Sequence, residues 1–154
     1  MYATSGLSCT VTGMTNSAML ERDAANVHAA FDRVFHETFE GDLNVVNPNL
    51  EIEVIAAGTV TGVYGEQSAL IAITPWGTSG IVLPGRGLPE SMVIAGVRRP
   101  VMLLEDVPET GPYAQVVLVP DVSKYTNQAQ ARTIAQSMIP VLLDGIAPQQ
   151  APAE

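Results

Sequence analysis

The sequence is poor in the residues that carry most enzyme chemistry. Among 154 residues there are one cysteine, Cys9, and two histidines, His28 and His36. A single cysteine excludes an internal disulfide and a metal site built from several thiolates of one chain. Cys9 lies in a leader rich in Ser, Thr and Gly, with no histidine or basic cluster beside it. The sequence therefore predicts a solvent-exposed thiol there rather than a nucleophile.

The two histidines are also poorly placed for chemistry. They lie eight residues apart on a predicted helix, about 12 Å along its axis, whereas a shared ion needs bonds of about 2 Å. His36 and Glu40 lie one turn apart and could contact one ion, but a polar helix face is the favoured interpretation. Ser79 lacks the Gly-x-Ser-x-Gly elbow of a hydrolase nucleophile. We therefore expect a protein that is not an enzyme, with no catalytic residue, no metal site and no cofactor.

Basic residues and long apolar runs are scarce as well. Seven Lys and Arg against 16 Asp and Glu give a formal net charge of -9, which disfavours binding to nucleic acid or to anionic lipid. No run approaches the roughly 20 apolar residues of a membrane span. The leader has neither the basic region nor the apolar core of a secretory signal. These patterns predict a cytoplasmic protein with no nucleic-acid partner and no membrane insertion.

The composition is nevertheless that of a folded protein. Hydrophobic residues make up 47% of the chain and charged residues 15%, which is ordinary for a globular domain, and the length fits a single domain. We predict a flexible leader over residues 1–16, one α+β domain over 17–145 and a disordered tail over 146–154.

Hydrophobic periodicity predicts two helices around a sheet. The first helix is expected over 18–40, with Ser17 as its N-cap and Gly41 as its end. The second is expected over 127–143, opened by Thr126 or Asn127 and ended before Gly145, and Pro140 should kink or split it. Short strands are expected at 51–55, with a bent continuation over 58–63, and at 69–73, 80–83, 91–94, 101–104 and 114–119. The predicted class is α+β, a mostly antiparallel sheet with an N-terminal and a C-terminal helix packed on it, and the predicted core residues are Phe31, Phe35, Ile73, Leu83, Leu118 and Ile134.

The segment Thr74-Pro75-Trp76 contains the only tryptophan of the chain. Because proline interrupts the hydrogen-bond ladder of a sheet, this corner is expected at the end or edge of a strand. Two interpretations of Trp76 stay open. It is either a buried aromatic that anchors the sheet or a contact residue of a protein interface, where aromatic side chains are enriched.

Three segments resemble the HybE/HupJ-type assembly chaperones of [NiFe] hydrogenases. The most specific is Ile73-Thr-Pro-Trp76 followed by Ile81-Val-Leu-Pro-Gly85. The other two are Val27-His-Ala-Ala-Phe31, leading to the Asn47-Pro48 turn and the strand after it, and Gly111-Pro-Tyr113, leading to Asn127-Gln-Ala-Gln-Ala131. Together the three segments cover most of the chain from Val27 to Asp144.

The resemblance implies a non-catalytic chaperone that binds a [NiFe]-hydrogenase subunit precursor during maturation, with the iron-sulfur small subunit as the candidate. It implies a partner-binding surface formed by Thr74, Pro75, Trp76, Pro84 and Gly85. The alternative is a stable accessory subunit of an oxidoreductase complex. A small enzyme would require residues supplied by a partner to complete its site.

Overall fold

The computed structural model describes residues 7–39, 46–62 and 65–150. The helices are α1 (Leu7–Val34), which continues as a π-helical turn (Phe35–Phe39), α2 (Gln128–Ser137) and α3 (Ile139–Gln150). The strands are β1 (Glu53–Gly62), β2 (Gly65–Thr74), β3 (Gly77–Leu83), β4 (Ser91–Ile94), β5 (Val97–Leu104) and β6 (Tyr113–Val119). All neighbouring strands are antiparallel, in the order β1-β2-β3-β6-β5-β4. The predicted α+β class is confirmed.

Two strands at the centre of the sheet carry apolar and small residues without alternation. Every residue from 67 to 83 is buried except Trp76, which is half-buried. Continuous burial requires cover on both faces, because successive side chains of a strand point to opposite sides. Helix α1 provides that cover on one face, and α2 with α3 provides it on the other.

Helix α1 packs on β1 and β2. Val27, Ala30 and Phe31 recur at helical spacing and are buried, in one cluster with apolar residues of β2 and β3. The Ser68 hydroxyl donates to the Asp23 carboxylate over 2.6 Å and ties the helix to β2. Phe31 is thus in the core as predicted, whereas Phe35 is only half-buried.

The start of the first helix differs from the prediction. Helix α1 begins at Leu7, so Ser17 lies inside it and is not its N-cap. The leader predicted as flexible is therefore helical from residue 7 onward, while residues 1–6 lie outside the described part. Adding a residue to a helix costs little free energy once a packed segment has nucleated it. Polar residues of modest helix propensity can therefore extend α1 by several turns. The predicted end at Gly41 also lies outside the described residues.

The C-terminal helix is split as Pro140 predicts, with α2 ending at Ser137 and α3 beginning at Ile139. Asn127 is the N-cap of α2, since its side-chain oxygen accepts the Gln130 backbone N–H over 2.9 Å. The predicted end before Gly145 is wrong, because α3 continues to Gln150. A Cβ at residue 145 would lie 3.2 Å from the Ile94 side chain, so this glycine allows the helix to approach β4.

The tail predicted as disordered from residue 146 therefore begins inside α3, where Ile146 is fully buried. Residues 151–154 lie outside the described part. Of the predicted core, Ile73, Leu83 and Leu118 are buried, but Ile134 is 40% exposed. Helix α2 buries the small side chains Ala131 and Ala135 instead, which turns Ile134 towards solvent.

Helix α3 crosses the whole sheet. Leu143 lies over Gly58 of β1, Leu142 lies over Gly80 of β3, and Gly145 lies against β4. A Cβ at residue 80 would lie 2.7 Å from a methyl group of Leu142. The absence of a side chain at Gly80 is therefore what lets the helix lie close to the central strands.

Candidate partner-binding site

The Thr74-Pro75-Trp76-Gly77 segment is the turn of the β2–β3 hairpin, and we refer to it as the Trp76 corner. Thr74 pairs with Gly77 across the hairpin. The buried Thr74 hydroxyl donates to the Gly77 carbonyl over 2.6 Å and accepts the Trp76 backbone N–H over 3.3 Å. A single side chain thus closes the turn, at a strand end as the sequence predicts.

Trp76 packs on the aromatic side chains of α1 and its π-helical turn. Its ring is stacked on Phe35, with centroids 6.1 Å apart and planes 7° apart, and it is tilted against Phe31 at 6.3 Å. Phe31 in turn meets the edge of Tyr113, and burial raises the pKa of Tyr113 to about 12, which keeps it neutral. Trp76 is therefore held in place by the core while part of its surface remains exposed.

Asn47 joins the Trp76 corner to the segment that follows β6. Its backbone N–H donates to the Pro75 carbonyl over 2.8 Å. Its side-chain NH₂ donates to the carbonyls of Val122 at 2.8 Å and Tyr125 at 2.9 Å, and its side-chain oxygen accepts the Asn49 N–H at 2.9 Å. Asn47 is 7% exposed, so these bonds are shielded from water. The sequence predicted a turn here but not this contact between distant segments.

Two clefts flank the Trp76 corner, and Pro75 lines both. The first, of about 370 Å³, lies between the corner, the turn at residues 46–49 and the segment 120–123. The second, of about 310 Å³, lies between the corner, α1 with its π-helical turn, and the segment 50–52. A partner side chain on either side of Pro75 would thus meet a concave surface.

The rims of the two clefts carry carboxylates. Asp32 and Glu51 line the second cleft, and Asp121 lines the first. The Ser123 hydroxyl and backbone N–H donate to Asp121 over 2.6 and 3.0 Å, which lowers the pKa of Asp121. With three carboxylates around it, the surface of the corner is acidic.

A nearby base, Arg33, is neutralised by other carboxylates of the chain. Its guanidinium donates to both oxygens of Glu109, at 2.7 and 3.0 Å, and contacts Glu37 at 3.3 Å. The hydrogen bond from Arg33 holds the pKa of Glu109 below its usual range. Arg33 therefore adds little positive charge to the acidic rim.

The Pro84-Gly85 turn lies at the opposite end of β3, where the Leu83–Pro84 peptide bond is cis. The buried side chain of Gln67 donates to the Pro84 and Arg86 carbonyls over 2.8 and 2.9 Å. A Cβ at residue 85 would lie 2.6 Å from the backbone nitrogen of Ala114, so only glycine fits against β6 here.

The structure therefore does not unite the five predicted partner-binding residues. Thr74, Pro75 and Trp76 lie at one end of β3, and Pro84 and Gly85 lie at the other. Seven strand residues at about 3.3 Å each separate the two groups by about 20 Å. The five residues thus form two groups rather than one cluster, and their role in binding a partner stays a prediction.

The histidines have protein partners. His28 Nε2 lies 3.2 Å from the Ile52 carbonyl, and His36 Nε2 lies 3.7 Å from Asp32. Glu40, the second member of the weighed His36 pair, lies outside the described residues. Among residues 7–39, 46–62 and 65–150, no group of three or more His, Cys, Asp and Glu could hold a metal ion. Within the same ranges, no helix is both long and apolar enough to cross a membrane.

Comparison with known proteins supplies one match. The family model described as "[NiFe]-hydrogenase assembly, chaperone, HybE" matches residues 22–154. No curated protein and no solved structure matches the chain. The matched range includes α1 from Arg22 onward, the whole sheet, both later helices and the Trp76 corner. The chain therefore belongs to the HybE family of [NiFe]-hydrogenase assembly chaperones.

Proposed function

We propose that the protein captures a [NiFe]-hydrogenase subunit precursor at the Trp76 corner, in the cytoplasm and without catalytic turnover. The observation that carries this proposal is the setting of Trp76, a half-buried aromatic ring that packs on Phe35 and Phe31 and lines the first cleft, beside Pro75, which lines both clefts. Rigid aromatic anchors beside concave surfaces are typical centres of binding energy in interfaces. Family membership supports the hydrogenase subunit as the partner.

The iron-sulfur small subunit is the candidate we favour among the hydrogenase subunits. A chaperone of this kind would cover an interface or an immature cluster site until the next partner arrives. The acidic rim formed by Asp32, Glu51 and Asp121 favours a basic or neutral surface on the bound segment, because like charges placed in contact cost affinity.

Replacing the anchor tests the proposal directly. We expect Trp76→Ala to weaken binding of the purified small-subunit precursor by roughly thirtyfold, equivalent to about 2 kcal/mol. The matched control is Ile134→Ala, which removes a 40% exposed apolar side chain from α2 and should leave affinity unchanged. Circular dichroism of both variants verifies that they are folded. A folded Trp76→Ala variant with unchanged affinity would place the interface elsewhere.

The alternative, a stable accessory subunit, differs in the lifetime of the complex. A chaperone leaves its client after maturation, whereas an accessory subunit remains bound. A pulse-chase experiment that follows co-purification of the labelled subunit distinguishes the two. We expect the label to leave the complex as mature hydrogenase accumulates, and its retention in the mature enzyme would favour the accessory subunit.

A further inference from the structure

Exposed apolar side chains concentrate on the hairpin formed by β4 and β5. Among the described residues, four of the five large hydrophobic side chains that are exposed lie there, namely Val93, Val97, Met102 and Leu103. Val97 and Leu103 lie on one face of the hairpin and Val93 and Met102 on the other, because alternate residues of a strand share a face and paired residues of neighbouring strands lie on the same side. This hairpin is at the β4 edge of the sheet, beyond the strands that α1 covers.

One side of β5 forms a cleft of about 370 Å³, which we call the β5 cleft. It is lined by residues 85–90, which form one wall, and by Val101, Leu103 and Ala114. Leu103 is 51% exposed. The hydrogen bonds from Gln67 and the tight contact of Gly85 with β6 fix the wall. The cleft therefore exists before any partner arrives.

Positive charge that the chain does not neutralise lies beside this cleft. Arg22, Arg33 and Arg132 each pair with a carboxylate of the chain. By contrast, three arginines form no ion pair with any residue in the described part of the molecule, namely Arg86, Arg98 and Arg99.

Two of these three arginines lie where they can bind a segment held in the cleft. Arg86 lines it, and Arg99 lies on the same face of β5 as Val101 and Leu103, because alternate residues of a strand share a face. Arg99 Nε is buried and has no hydrogen-bond partner among the described residues. Glu90, the carboxylate in the lining, likewise forms no ion pair within the described ranges.

We propose that the β5 cleft is a second docking surface, which takes an apolar segment of the hydrogenase subunit precursor that carries aspartate or glutamate. Leu103 and Val101 contact its apolar side chains, and Arg99 and Arg86 pair with its carboxylates, since guanidinium groups bind carboxylates through two parallel hydrogen bonds. The proposal rests on the proposed function for the identity of the partner. In a chain of net charge -9, this cleft is suited to an acidic segment.

The second surface would work together with the first. The Trp76 corner and the β5 cleft lie at opposite ends of β3, about 20 Å apart. A partner that holds one surface presents its second segment at high effective concentration to the other, which raises the total affinity without further contacts. The Trp76 corner thereby binds a basic or neutral segment of the client, and the β5 cleft binds an acidic one.

Two neighbouring residues of β5 supply a matched test. Leu103 and Met102 are 51% and 52% exposed but point to opposite faces of the same strand. We expect Leu103→Asp to weaken binding of the purified subunit precursor by about tenfold, and Met102→Asp to change it by less than about threefold. Both side chains are exposed, so the melting temperatures of the two variants should match that of the unmodified protein.

The contribution of positive charge to binding at the β5 cleft is tested by replacing Arg99. A photo-crosslinker at position 103 identifies the contacted precursor segment, and its Asp and Glu residues are then replaced by Asn and Gln. We expect Arg99→Glu to weaken binding of the original precursor and to leave binding of the neutralised precursor unchanged. Equal effects on both precursors, or crosslinks only to basic segments, would overturn the proposal.

The outcomes separate this inference from the proposed function. Binding that depends on Trp76 but not on Leu103 contradicts the β5 cleft and leaves the proposed function intact. Failure of the unmodified protein to bind the precursor contradicts both. A dimer of the free protein that Leu103→Asp converts to monomer, measured by sedimentation, would assign the cleft to a second copy of the chain and contradict the proposal.

Discussion

At the scale of single residues, Asn47 connects the Trp76 corner to the segment that follows β6. It uses its backbone N–H, both hydrogens of its side-chain amide and its side-chain oxygen, and three of these bonds connect it to Pro75, Val122 and Tyr125. No other natural side chain of this size offers the same donors and acceptor. The position of the corner relative to the segment after β6 therefore depends on one amide group.

We expect Asn47→Ala to lower the free energy of unfolding by about 1–3 kcal/mol, because it leaves buried backbone groups without partners. Urea denaturation measures the change. Asn49→Ala is the matched control, since Asn49 is exposed and its side chain reaches Tyr125 only at 3.4 Å. Equal losses in the two variants would show that the buried bonds of Asn47 contribute no more than surface contacts.

The role of Asn47 could not be read from the sequence. Its amide bonds to Val122 across a sequence separation of 75 residues, and local pattern indicates only the Asn-Pro turn. The Trp76 corner was predictable because proline and a strand end are local signals. The separation of Pro84-Gly85 from that corner follows from the pairing of β2 with β3, which a list of motifs does not contain.

At the scale of elements, contacts between distant segments determine which predictions from the local sequence are correct. The strands were predictable from short apolar runs, and Pro140 correctly predicted the break between α2 and α3. Gly145 was misread as a helix end, because sequence alone does not distinguish a terminating glycine from one that admits a close neighbour. Ile134 was wrongly predicted to lie in the core for a related reason, since α2 buries Ala131 and Ala135 instead.

The close approach of α3 to the sheet makes a prediction at Gly80. A methyl group there would lie 2.7 Å from Leu142, whose side chain is fully buried. We expect Gly80→Ala to destabilise the protein by about 1–3 kcal/mol through overpacking, measured by thermal or urea unfolding.

Two further variants establish the cause. A Cβ at Gly77 would meet only ordinary contacts, the nearest at 3.5 Å, so Gly77→Ala should change stability little. Combining Gly80→Ala with Leu142→Val removes the opposing methyl groups and should restore part of the loss. A loss that is unaffected by the second substitution would show that α3 does not press on Gly80.

At the scale of the whole molecule, the sheet keeps two different surfaces apart. The Trp76 corner is aromatic with an acidic rim, and the β5 cleft combines apolar side chains with arginines that form no ion pair among the described residues. Family membership identifies a hydrogenase assembly chaperone, and under the two proposals above the two ends would supply separate chemistry for holding a client.

We expect the purified protein to carry no stoichiometric zinc, iron or nickel. One cysteine and two distant histidines offer too few strong ligands for a resident ion. Elemental analysis of the isolated protein after dialysis measures the metal content. About one tightly held ion per chain would contradict the prediction, and the isolated protein is the relevant sample because a client could bring its own cluster.

The path of α3 across the sheet has a consequence for synthesis on the ribosome. Every strand is translated before this helix, so the apolar face that Leu142 and Ile146 cover stays open to water while the strands emerge. The sheet cannot complete its core until residue 146 has left the exit tunnel. During synthesis the protein therefore exposes an apolar surface of its own, before it is able to cover the apolar surface of a client.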